Sequence, residues 1–201
     1  MEKCEIRVKV ICMALAKKEK QSWLRSSTVR LARVHFLYVF LFAAQTIIYD
    51  AWKLIAPNAV LNRWIVTAIL FLTSTVVWYL AKNKINSTGA YKALVFALIF
   101  VDIGAASFNV YTQRGMASRA VMLYAVPILV SAALYSRAAI LATTLLSVAA
   151  YTTTAISYFV LNFNEGYKIE LYGEVGFYSV LFFVLATLLI ILVRPKKNHR
   201  A

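Results

Sequence analysis

The chain has 201 residues, of which 62% are hydrophobic and 15% charged, and it carries a formal net charge of +14. Water-soluble domains are typically about 45–50% apolar and about 25% charged, so this chain has too little polar surface to cover itself and must turn much of its apolar surface toward lipid. The basic residues crowd the N-terminal 33 positions, the extreme C-terminus and one internal loop, which excludes a nucleic-acid-binding surface and matches the cytoplasmic flanks of a membrane protein.

Residues 1–33 form a basic segment whose one apolar run, Val10 to Ala16, is too short to cross a bilayer. Lysines follow that run where a signal peptide would have a small-residue cleavage site. Cys4, Val8, Ile11, Cys12 and Leu15 share one helical face, which predicts an amphipathic helix on the membrane surface; Cys4, Ile6, Val8 and Val10 also alternate as in a strand. Cys4 and Cys12 are expected to be cytoplasmic reduced thiols.

A spanning helix needs about 20 apolar residues, because each rises about 1.5 Å through a core about 30 Å thick. Six segments qualify between residues 34 and 193: Val34 to Ile55, Trp64 to Ala81, Tyr91 to Thr112, Arg119 to Tyr135, Ala138 to Leu161 and Leu171 to Val193. The expected fold is therefore all-α, a six-helix transmembrane bundle followed by a basic tail at 194–201, where Pro195 stops regular helix. Lys82, Lys84, Lys92 and Arg137 lie on the same side as both basic termini, so both termini are expected in the cytoplasm and the protein in the cell's inner (plasma) membrane.

Asp102 stands near the middle of the third span, where a charge costs at least about 2.5–3.5 kcal/mol unless it is paired or protonated. Asn109 is seven residues on, with Ala105 and Ala106 between them, giving one face small and polar enough for close helix approach. Asp102 is either part of a proton or ligand site or a device that fixes helix packing. By depth alone, Gln45, Tyr49, Asp50, Asp102, Tyr124 and Tyr151 are candidates to line one polar cavity in the outer half, and Asn109 is counted with Asp50, Asp102, Tyr124 and Tyr151 as a candidate for that polar pocket. Arg114 and Arg119, at the outer ends of spans three and four, read first as interfacial anchors and second as an anion site. Asp50 is at a depth that suits pairing with these arginines. Pro127 predicts a kink in span four, and the hydroxyls after Tyr151 have their own helix carbonyls as ready acceptors.

Signals for chemistry are sparse. The two histidines, His35 at the inner edge of span one and His199 in the tail, belong to no metal motif, and neither a Gly-rich phosphate loop nor a GxSxG elbow occurs. No cofactor and no catalysis are expected. Carboxylates of the last outer loop region, Glu165, Glu170 and Glu174, read as solvated.

The stretch YTQRGMASRAVMLYAVPILVSAALYSRAAILATTLLSVAAY, preceded by Asp102, resembles the six-helix membrane sensor region of bacterial sensor histidine kinases. The likeness rests on the Gln113–Ser118 turn, Tyr124 and Pro127 in span four, the corner at Arg137 and Tyr151 in span five, and it covers Arg30 to Val193. The family's phospho-accepting histidine box and ATP-binding domain are missing: His199 in KKNHRA lacks the acidic residue and proline of that box. The resemblance thus implies a non-catalytic sensor-like module. Its expected partners are the lipid bilayer, a kinase or response regulator, and a second copy of the chain. The alternative is the substrate-binding membrane subunit of a vitamin or metal-ion importer, although Ala43 and Ala44 lack the four-residue spacing with which such subunits dock their partner.

Overall fold

A computed structural model describes residues 2–83, 85, 87–113, 118–163 and 169–193, with side chains in the first helix given for Glu19 and from Gln21 onward. The side chains of Cys4 and Cys12, together with Arg114, Glu165 and the whole tail including His199, lie outside the described residues. Among the described residues the regular structure is all helical, with no strand: α1 (Glu2–Ala51), α2 (Pro57–Lys82), α3 (Thr88–Thr112), α4 (Ala125–Ser131), α5 (Arg137–Phe163) and α6 (Ile169–Leu192). Five helices, α1 from Gln21 onward and α2, α3, α5 and α6, are long and apolar enough to cross a membrane.

The fourth predicted span is not a regular α-helix. It is a 3-10 helix over Arg119–Tyr124, the seven-residue α4, and a 3-10 turn over Ala132–Leu134. Pro127 explains the first junction. It has no N–H to donate and its ring conflicts with the carbonyl four residues back, so α-helix cannot run through it toward the N-terminus. It sits in the first turn of α4, where an N–H would be orphaned anyway, and the tighter i→i+3 pattern takes over upstream. The segment ends at Tyr135 in the left-handed region, φ 48°, a conformation that costs a non-glycine residue roughly 1 kcal/mol. Its ring packs edge-on against Trp23 of α1, with centroids 4.4 Å apart.

The first helix also departs from expectation. No break separates residues 1–33 from the span; α1 is one helix of 50 residues, about 75 Å long and more than twice the hydrocarbon thickness. Among its described side chains the buried ones are Leu24, Thr28, Ala32, His35, Val39, Phe42 and Thr46, spaced by three or four as a helix-packing seam requires. α2 buries Val60, Arg63, Thr67, Leu70, Ser74, Val77 and Ala81 in the same rhythm. The two seams run antiparallel against each other. Pro57, with its fixed φ, begins α2 without a side-chain cap.

The C-terminal end of α2 is closed by α1. The Arg25 guanidinium donates to the carbonyls of Ala81 (3.3 Å) and Lys82 (2.5 Å), and the Gln21 amide donates to Ile85 O (2.7 Å). A cation on the last carbonyls satisfies orphaned acceptors and complements the helix dipole. Residues 21–25, the 81–85 region and the Leu134–Arg137 corner therefore meet at one end of the bundle, as their basic character suggests. α3 packs against α1, α2, α4 and α5.

Candidate functional site

The most polar buried contact joins α1, α2 and α3. His35 Nδ1 lies 2.6 Å from the Ser74 hydroxyl, and His35 Nε2 lies 2.6 Å from Asp102 Oδ1. His35, Ser74 and Asp102 are 3%, 0% and 1% exposed. The Tyr38 ring packs edge-on to the imidazole, with centroids 5.4 Å apart.

Counting protons defines what this chain of bonds can be. Ser74 has a single hydroxyl proton and its oxygen is 2.7 Å from Leu70 O, the usual back-bond of a helical serine. With that proton on Leu70, Nδ1–H of His35 donates to Ser74, and one further proton lies between Nε2 and Asp102. The histidine–aspartate pair is then neutral overall, the arrangement a low-dielectric interior tolerates best. The second oxygen, Asp102 Oδ2, has no hydrogen-bond partner.

A serine, a histidine and a carboxylate in line also form the skeleton of a nucleophilic triad. Here the serine is wholly buried and its hydroxyl is directed at its own helix, at Leu70 O. Among the described residues no three His, Cys, Asp or Glu side chains converge as a metal site.

The other predicted site residues fall into separate groups. Asn109 shares a buried face of α3 with Asp102, with Ala105 and Ala106 buried between them, as the seven-residue spacing describes. Asn109 borders a cavity of about 420 Å³ with Gln45, Tyr49, Gln113, Ser118 and Arg119. Tyr124 and Tyr151 are elsewhere, in an aromatic cluster between α3, the fourth segment, α5 and α6. Their rings are 5.9 Å apart, and each also packs on Phe182, at 6.2 and 6.5 Å. With the Ser107 proton on Ile103 O at 2.8 Å, the Tyr124 hydroxyl is left to donate to Ser107 at 2.8 Å, and Ser107 is five residues from Asp102, about 140° around α3.

Asp50 is exposed and makes no ion pair with Arg119; the one ion pair among the described residues is His35–Asp102. The single polar cavity expected from depth is thus three structures: a buried junction, a cavity at the far end, and an aromatic cluster. His35 is the residue that reading by apolar runs misses. Arg30 and Arg33 push the apparent start of span one to Val34, yet both are exposed, and the buried seam passes between them through Leu24, Thr28 and Ala32. The three-and-four spacing of that seam is the signal that places His35 inside the bundle.

No family model, curated protein or solved structure matches this chain.

Proposed function

We propose that the protein is a non-catalytic, sensor-like membrane module with six crossings and both basic termini in the cytoplasm, in which α1 transmits events at its junction with α2 and α3. The observation that carries this reading is the buried Ser74–His35–Asp102 chain, which ties three helices together through one side chain of α1. Displacing any of the three breaks a short, buried hydrogen bond, so the junction favours discrete arrangements over gradual ones. From His35 to Glu2 the helix is unbroken, about 50 Å of rod along which a shift can travel to the basic N-terminal residues.

A sixth crossing is compatible with the short fourth segment. Six and three of its residues are in 3-10 helix and seven in α-helix. With rises of about 2.0 and 1.5 Å, they reach about 28 Å, close to the hydrocarbon thickness. The polar junction also fits a signalling role because intramembrane ionisable residues are expensive and face the bundle interior.

The test is capture of the full chain, cross-linked in its native membrane, followed by identification of what binds. A kinase core or response regulator that is lost when Lys3, Arg7 and Lys9 are replaced by glutamine supports the reading. A pair of ATPase subunits in its place supports the importer alternative and refutes sensing.

A further inference from the structure

At the end of the bundle away from the Arg25–Lys82 corner, positive charge is buried without an anion. Arg63 holds a seam position of α2 and is 3% exposed. Its Nη1 has no hydrogen-bond partner, and its guanidinium carbon lies 4.6 Å from the centroid of the Tyr49 ring. An aromatic face compensates a desolvated cation only in part, and a buried charge is ordinarily matched by a counter-charge. Asp50, the acidic residue nearest this end in the sequence of α1, is exposed and unpaired.

Tyr49 is also a wall of the 420 Å³ cavity, together with Arg119 and Asn109. One guanidinium therefore lies on the cavity wall and a second backs a wall residue. Asn109 is fully buried: its amide nitrogen donates to Ala105 O at 2.8 Å, and its Oδ1 accepts nothing. Gln113 and Ser118, bonded to each other at 3.2 Å, complete a polar rim. The volume is that of a small-molecule pocket, larger than a bare ion needs. Cations beside an unsatisfied acceptor select a ligand that has both an anionic group and hydroxyl donors.

We propose that this cavity binds a hydroxylated organic phosphate of glycerophosphate type, its phosphate on Arg119 with Arg63 behind Tyr49, and a hydroxyl donated to Asn109 Oδ1. Two sources present that chemistry: the headgroup of an anionic phospholipid and a free phosphate ester. The proposal is independent of the sensor reading, since it makes no use of the His35 junction.

The experiment uses the full chain in phosphatidylcholine nanodiscs. One arm titrates glycerol 3-phosphate and follows thermal stabilisation. The other replaces part of the lipid with phosphatidylglycerol and counts retained molecules by native mass spectrometry. Saturable binding in either arm, weakened about tenfold or more in Arg119→Gln and in Arg63→Gln, supports the site; the responding arm identifies the source. Arg119 is exposed, so Arg119→Gln keeps the test decisive if Arg63→Gln does not fold. Absence of saturable binding in both arms, or binding within twofold of native in either folded variant, overturns the proposal.

Discussion

α3 and α6 look alike as apolar runs, yet they occupy opposite situations. Half of the apolar window of α3 is buried inside the protein, against 17% for α6. α6 buries a single line, Leu171, Val175, Phe182 and Ala186, and turns residues such as Phe177, Val184 and Leu188 outward. α3 buries two adjoining faces, Asp102, Ala105 and Asn109 toward α1 and Ile103, Ala106 and Val110 in the main core, and leaves a third face with Phe100 and Gly104 exposed. Lipid tails are as apolar as leucine, so burial in a bilayer protein is marked by small and polar side chains instead of greasy ones. α3, which buries Asp102, Ala105, Ala106 and Asn109, is the more enclosed helix; α6, the more uniformly apolar, is peripheral.

The sharpest way to break this contrast is at the junction on α3. Replacing His35 by leucine leaves Asp102 buried without its partner, and the loss of one member of a buried pair costs about 3–5 kcal/mol. Thermal unfolding of the detergent-purified protein should show a large fall. The double variant His35→Leu/Asp102→Leu should recover most of that loss, because an apolar pair of similar volume needs no counter-charge. A double variant no more stable than the single would mean that the pair is not an isolated unit.

A smaller effect belongs to the buried line of α6. Ala186 is 0% exposed and Leu188 is 53% exposed. Ala186→Leu overpacks the contact and should cost about 1–3 kcal/mol, whereas Leu188→Ala, on the lipid side, should change stability by less than about 0.5 kcal/mol. Similar losses from both would erase the distinction between the faces. Tyr124→Phe, which removes the bond to Ser107, should cost about 0.5–1.5 kcal/mol in the same unfolding measurement.

How much of this was legible beforehand follows from what each signal measures. Long apolar runs located α3, α5 and α6 closely, because length and hydropathy are set by the bilayer, whereas α2 starts at Pro57, ahead of the expected Trp64. The seven-residue step from Asp102 to Asn109 named a real helix face, since helical periodicity is local. The continuity of α1 was hidden, because outward arginines at 30 and 33 lower the apolar average without interrupting the helix. The 3-10 stretch before Pro127 was hidden as well: the proline announces an irregularity but not which pattern replaces the α-helix. Which polar residues share a site is a tertiary question. Gln45, Tyr49 and Asn109 do meet at one cavity, but Tyr124 and Tyr151 turn toward α6 and Asp102 toward His35, a separation set by rotation about each helix that depth in the membrane does not encode.

The most direct test of the central claim is solid-state NMR on the protein in lipid, with ¹⁵N-histidine and ¹³C-aspartate. His199→Ala leaves His35 as the chain's one imidazole. The structure predicts a through-space correlation between His35 Nε2 and the Asp102 carboxyl carbon, with both ring nitrogens hydrogen-bonded and protected from exchange with water. An imidazole that exchanges freely and shows no correlation to Asp102 would contradict the junction on which this account of the protein is built.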